Sequence, residues 1–233
     1  MKPLRVDIWS DIACPWCYVG KRRFEQALAQ FAGRDSVQLH WHSFELDPSA
    51  PARVPEARQA ERLAKKYGMT LQVAEQRMAH LSQLAEVEGI RFDFDQLKPG
   101  NTFDAHRVLH LAEARGKQDS LKERFLRGYL CEGQAIGERE VVARLACEVG
   151  LDADEVEATL AGNDYADEVR ADQAQAAALG IHGVPFFVIG ERYGISGAQP
   201  TELLAQALRK VQEELAAAAP EFVEGAACGP DGC

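Results

Sequence analysis

Residues 4–25 read LRVDIWSDIACPWCYVGKRRFE, and their order decides the fold. Residues 4–9, LRVDIW, alternate apolar and polar side chains, the period of a strand. Pro15 then stands where a helix can begin, and Phe24, Ala27, Leu28 and Phe31 follow at helical spacing. Gly33 is the expected helix stop. Residues 36–44, SVQLHWHSF, alternate again and predict a second strand. The opening is therefore β-α-β, with Cys14-Pro15-Trp16-Cys17 at the strand-to-helix junction.

That position has chemical consequences. A nucleophilic cysteine must be a thiolate, and the unpaired N–H groups and positive dipole end of a helix N-terminus stabilise one. Cys14 is expected to be the exposed attacking sulfur. Cys17, one helical turn on, is expected to be the resolving thiol, deeper and with the higher pKa. Lys21, two turns after Cys14, reads as a long exposed side chain. The competing reading of a CxxC is half of a zinc site, which needs a second ligand pair at short spacing. His40 and His42 alternate on a strand and suit packing or the surface better. The strand-CxxC-helix context favours redox chemistry, with no metal and no cofactor.

From Pro51 to about residue 164 the pattern is nearly all helical. Thr70 is a candidate cap for a stripe of Leu71, Ala74, Met78, Leu81 and Ala85 that ends at Gly89. Asn101 or Thr102 opens a further helix that stops near Gly116. Asp119 or Ser120 opens another, and residues 138–149 stop at Gly150. The one strand expected in this block is short, Ile90–Phe94. Residues 165–179 predict a helix ended by Gly180, followed by strands at Phe186–Ile189 and Tyr193–Ser196. A last helix spans about Pro200–Ala219, and the Gly-rich residues 220–233 are expected to be a flexible tail.

The composition is that of an ordinary globular chain: 233 residues, 46% hydrophobic and 27% charged. The net charge of −10 argues against non-specific binding to nucleic acid or anionic membranes, and no apolar run approaches a membrane span. Asp7 and Asp11 interrupt any signal-like apolar run near the N-terminus, so a cytoplasmic location is expected. In a reducing compartment six cysteines do not suggest a static disulfide framework.

The order β-α-β, helical block, α-β-β-α matches an α/β class, a thioredoxin fold carrying a large all-helical insertion. The expected division is 1–50 and 165–219 for the two thioredoxin halves, 51–164 for the insertion and 220–233 for the tail. SDIACPWCYVGKRRFE at 10–25 together with GIHGVPFFVIG at 180–190 resembles the DsbA-like branch of the thioredoxin superfamily, and within it the FrnE-type proteins. NTFDAHRVLHLAEARG at 101–116 and ISGAQ at 195–199 also fit that group, so the resemblance covers most of the chain. It implies a cis peptide before Pro185, facing the CxxC, and a Val184 backbone that pairs with an extended substrate segment. Without the resemblance, an ordinary trans proline opening a strand is the better reading of Pro185. Pro15, Trp16, Val184 and Pro185 are thereby implied in substrate binding. Pro15-Trp16 is not the Pro-His of periplasmic DsbA, so a strongly oxidising potential does not carry over. Relatives that act as glutathione-dependent isomerases on hydroxychromene carboxylates usually have serine where this chain has Cys14.

The implied partners are proteins with disulfides or thiols, and a thiol reductant such as glutathione or a thioredoxin-type donor. Two other readings stay open: a glutathione-dependent isomerase or transferase on a small aromatic substrate, and a non-enzymatic holdase or metal-binding stress protein. Cys228-Gly-Pro-Asp-Gly-Cys233 is strong turn chemistry and predicts a second redox pair. Fourteen residues follow Ala219, a coil reach of roughly 20 Å, against a radius of gyration of roughly 17 Å for a chain of this length. Exchange with Cys14 and Cys17 is allowed by length. Cys131 and Cys147 are expected to be buried or half-buried helix positions rather than a further pair. His106 and His110 have i, i+4 spacing but no third ligand, although His106 is placed to line a cleft.

Overall fold

In the computed structural model, residues 3–54 and 58–217 are described. Cys228 and Cys233, with the expected tail, lie outside them. Strand β1 (Leu4–Ser10) enters helix α1 (Pro15–Ala29), and β2 (Val37–Ser43) follows a short 3-10 turn at Arg34–Ser36. Helices α2 (Gln59–Tyr67), α3 (Leu71–Val87), α4 (Phe103–Ala114), α5 (Gln118–Glu132), α6 (Arg139–Glu148) and α7 (Ala153–Ala161) form the helical block. The chain returns through α8 (Ala166–Ala178), β3 (Phe186–Ile189), β4 (Tyr193–Ser196) and α9 (Thr201–Ala217). The sheet order is β2-β1-β3-β4, with β1 parallel to β2 and antiparallel to β3, and β4 antiparallel to β3.

The sheet is covered on both faces. On one, Leu4, Val6 and Ile8 of β1 pack with Phe24 and Ala27 of α1, Phe187 and Ile189 of β3, and Leu204, Leu208 and Val211 of α9. On the other, Trp9 packs against Ala176 and Ile181 around α8. Burying both faces of a central strand overrides its amphipathic pattern, so Asp7, polar in the alternation of β1, is also buried. It is satisfied locally: His42 Nε2 lies 2.7 Å from Asp7, and Arg5 donates to the same carboxylate at 2.7–3.0 Å.

His42 Nδ1 meets Asp172 of α8 at 2.6 Å, and its ring stacks on Trp9 with centroids 4.4 Å apart. His110 of α4 adds a contact to Asp172 at 3.0 Å, so the network spans sheet, α8 and helical block.

A second core fills the helical block, from Leu109 and Leu111 of α4 through Phe125 and Leu126 of α5 to Leu145 of α6 and Val156 of α7. Ile12, Tyr18 and Val19 join it from the CxxC junction, which welds α1 to the block. Thr70 Oγ1 accepts from Val73 N at 3.3 Å and caps α3, as the sequence predicts. The expected strand at Ile90–Phe94 is not formed. Ile90, Phe92 and Phe94 instead pack against the helical core, and the Asp93 N–H donates to Leu130 O at 2.9 Å. Helix α1 ends at Ala29, short of Gly33, whose Cβ position is taken by Gln212 and Phe31.

Candidate active site

Cys14 is the N-cap of α1, with extended backbone angles (φ −97°, ψ 112°), and Pro15 occupies the first turn. A proline there sacrifices no helical hydrogen bond. The Cys14 N–H donates to Asp11 O at 3.2 Å, closing the turn out of β1. Trp16 is 38% exposed beside it.

The Val184–Pro185 peptide is cis. It faces the cysteines across the end of β1, where Cys14 Sγ lies 3.5 Å from Val184 O. Gly20 lets α1 approach this loop: a Cβ at Gly20 would lie 2.8 Å from Pro185 Cγ. Cys17 is fully buried, deeper than Cys14, as the sequence predicts. Cys14 itself is only 5% exposed, contrary to the expectation of an open sulfur. The Pro185 loop, which lies 170 residues away in sequence, covers it.

The electrostatics also differ from the sequence expectation. Lys122 of α5 is completely buried, and its ammonium donates to Ser10 O at 3.2 Å. Burial brings the Lys122 pKa down to about 8, against the opposing pull of Cys17, Asp11 and Cys14. Burial works to raise the Cys17 thiol, but hydrogen bonds from Cys14 and Ser10 and the Lys122 charge outweigh it, so Cys17 is lowered. Cys14 is raised because its S–H is held by Cys17, and burial adds to this. The pair therefore shares one proton: the first ionisation is eased, and the second is pushed well up. The Cys17 N–H works in the opposite direction and lowers Cys14, without outweighing these effects.

Asp11 and His106 complete this buried floor. Burial works to raise the Asp11 carboxyl, yet His106 at 3.4 Å and the N–H groups of Leu46 and Ala13 hold it ionised. Burial lowers His106 despite Asp11, which keeps the imidazole neutral. His106 thus sits under the site rather than lining an open cleft.

Lys21 is also buried, contrary to its reading as an exposed chain. Helix α5 packs on α1 and brings Asp119 and Glu123 within 3.3 and 3.4 Å of its ammonium, with Glu25 a further partner. Cys131 is half-buried, its thiol pushed up to about 11 by burial, and Cys147 is exposed; both are free.

Sequence reasoning passed over Lys122. Its signal is positional: Lys122 falls on the buried stripe of α5 with Phe125, Leu126 and Tyr129 at i+3, i+4 and i+7, where a lysine has no reason to be unless it meets a partner. The helical block also closes one side of a cavity of about 1300 Å3 that begins at Cys14, Pro15 and Trp16.

A family model for the DSBA-like thioredoxin domain matches residues 5–209. The chain is 29% identical over 213 residues to the uncharacterized protein YwbO of Bacillus subtilis (strain 168), covering 91% of this chain and 98% of that one. It is 46% identical to a probable DsbA oxidoreductase of Streptomyces coelicolor, whose crystal structure superposes with a TM-score of 0.86 over 99% of this chain and 98% of that chain. The cytosolic disulfide reductase DsbM of Pseudomonas aeruginosa shares the fold, at 18% identity and a TM-score of 0.61 over 91% of this chain and 99% of that chain.

Proposed function

The chain belongs to the DSBA-like thioredoxin family, and from that premise we propose that it is a thiol–disulfide oxidoreductase or disulfide isomerase acting on protein disulfides, with Cys14 as nucleophile and Cys17 as resolving thiol. The observation that carries this reading is the stacking of three features at one point. Cys14 caps a helix N-terminus against the carbonyl of Val184, Cys17 lies one turn beneath it, and a buried ammonium faces Cys17.

Cys14 thiolate attacks one sulfur of a substrate disulfide, forming a mixed disulfide and releasing the other substrate sulfur as a thiolate. Cys17 gives up the proton that the pair shared to the released substrate thiolate and attacks Cys14 Sγ, closing the Cys14–Cys17 disulfide and releasing the second substrate sulfur as a thiolate. The substrate gains two electrons and the pair loses two. An external thiol reductant, glutathione or a thioredoxin-type donor, restores the dithiol. In isomerisation the released substrate thiolate re-attacks before Cys17 does, and no net electrons move. Pro15 and Trp16 flank the reacting sulfur, and the Val184 backbone with Pro185 would align an extended substrate segment. No cofactor takes part.

A cytoplasmic setting belongs to the same proposal. In that setting the glutathione poise favours reduction or reshuffling over net oxidation. Cys228 and Cys233 are proposed as a second redox pair that exchanges equivalents with Cys14 and Cys17.

The test is insulin-disulfide reduction and reactivation of a scrambled protein by wild type, Cys14→Ser and Cys17→Ser. Cys14→Ser should be inactive in both, and Cys17→Ser should accumulate a mixed disulfide. Full activity of Cys14→Ser would overturn the reading. Isomerisation of a small aromatic substrate that survives Cys17→Ser would favour the glutathione-dependent alternative.

A further inference from the structure

The cavity that opens at Cys14 and Trp16 runs between the CxxC junction and the α2–α3 pair, with a volume of about 1300 Å3. That exceeds the usual range of small-molecule pockets, roughly 300–1,000 Å3, and suits a length of polypeptide better. Its lining is apolar at Leu46, Tyr67, Met78 and Phe94, and Leu46 and Tyr67 expose large surfaces to solvent. Methionine and aromatic side chains of this kind accommodate varied apolar partners.

The charge on this wall is unusual for the molecule. The chain has 36 acidic and 26 basic residues, and most of its arginines are ion-paired. Yet Arg62, Lys65, Lys66 and Arg77 all line the cavity, and none of them has an ion pair among the described residues. Lys66 only approaches the Tyr67 ring, at 5.8 Å. Two polar atoms of α2 in the same lining, Arg62 Nη1 and Gln59 Oε1, are buried without a hydrogen-bond partner.

The acidic residues of the lining do not balance these cations. Asp11 is buried and engaged with His106 and two backbone N–H groups. Glu61 is held by Arg58 at 3.0 Å, and Asp47 by its own turn through Ser49 at 2.8 Å. Lys65 and Lys66 lie in the last turn of α2 and complement the helix dipole. That role explains neither Arg77 on α3 nor the unpartnered guanidinium nitrogen of Arg62.

We propose that this groove holds an extended, acidic segment of a substrate polypeptide beside the disulfide that reaches Cys14. The inference deepens the oxidoreductase reading by naming a substrate class for the same site, and it rests on that reading only for the disulfide. Apolar side chains of the segment would pack on Met78 and Phe94. Its carboxylates would meet Arg62, Lys65, Lys66 and Arg77.

The experiment measures binding by fluorescence anisotropy, with short extended peptides that carry serine in place of cysteine. One peptide is acidic, one has Gln at those positions and one has Lys. The proteins are full-length wild type and the triple variant Lys65→Glu, Lys66→Glu, Arg77→Glu, whose substituted residues are all exposed and whose folding is checked by thermal melting. Wild type should bind the acidic peptide roughly tenfold tighter than the Gln peptide, as several solvent-exposed ion pairs allow. The preference should fade as salt is raised to about 1 M, and the triple variant should prefer the Lys peptide.

Equal binding of all three peptides by wild type, or an unchanged order in the variant, would overturn the proposal. Displacement of the acidic peptide by micromolar glutathione would overturn it in favour of a small anionic thiol. Because these peptides cannot react, binding is read separately from redox activity. A wild type that prefers the acidic peptide but fails in the insulin assay sinks the oxidoreductase reading and leaves the groove assignment standing.

Discussion

Lys122 donates its ammonium proton to the carbonyl oxygen of Ser10 at 3.2 Å, which fixes a cation from the helical block beneath the CxxC cysteines at the end of β1. Ser10 is the last residue of β1. The helical block therefore does more than roof the site. It sets the charge beneath the cysteines.

Lys122→Met tests that charge. The substitution keeps roughly the length of the side chain and removes a buried ammonium together with the donor of Ser10 O, so folding is checked by thermal melting. Burial holds Lys122 near pKa 8, so the wild-type charge is present at neutral pH and is lost as pH rises through about 8. Without it, the first thiol of the pair should titrate higher. Alkylation by iodoacetamide as a function of pH reads this directly, and an unchanged profile would remove Lys122 from the account.

Gly20→Ala tests the contact between α1 and the Pro185 loop. The new methyl would lie 2.8 Å from Pro185 Cγ and 3.5 Å from Phe187. Either the ring or the helix must move, and overpacking of this kind costs about 1–3 kcal/mol. We expect a lower melting temperature together with a loss of kcat/KM on protein disulfides. A Gly20→Ala protein with wild-type values of both would mean that the loop yields freely.

The His42 network predicts a pH-dependent stability. Burial works to lower His42, but Asp172 and Asp7 outweigh it and raise it to about 9 from 6.5. Its contribution is fully present below about pH 6.5 and is lost as pH rises through about 9. Both carboxyls are held low, Asp7 at about 2, so they stay ionised across that window. The charges facing the imidazole are these two, with Arg5 on Asp7 and His110 on Asp172. Melting temperature should fall between pH 7 and pH 9.5, whereas His42→Gln should be less stable at neutral pH, by about 3 kcal/mol, and should lose most of that slope. Parallel pH curves for the two proteins would contradict the assignment.

Removing residues 221–233 tests the proposed second redox pair. Turnover with at least one thiol donor should fall, and Cys17→Ser in the full-length chain should yield a trapped disulfide between Cys14 and Cys228 or Cys233. Unchanged turnover with every reductant and substrate would retire the idea.

Much of the fold was legible because local signals agreed. The strands at Phe186–Ile189 and Tyr193–Ser196 appear as the pattern predicts, since short apolar runs bounded by glycine leave little choice. Where the reading failed, a distant segment had intervened. The apolar residues at Ile90–Phe94 serve the helical core, and the Asp93 N–H among them donates to Leu130 O of α5 at 2.9 Å.

The sequence by itself placed two sulfurs one turn apart at a strand-to-helix junction, with proline at the helix start. These are local matters of period, capping and backbone freedom, which neighbouring residues specify. Tertiary structure alone decided what surrounds the sulfurs. The cover over Cys14 comes from Val184, the cation beside Cys17 from Lys122, and the neutral imidazole under Asp11 from His106, three segments joined only by packing. Burial and charge act through space, so the lysine on α1, Lys21, which reads as exposed in the sequence, is buried and consumed by Glu25, Asp119 and Glu123. The one that faces Cys17 comes from a helix more than a hundred residues along the chain.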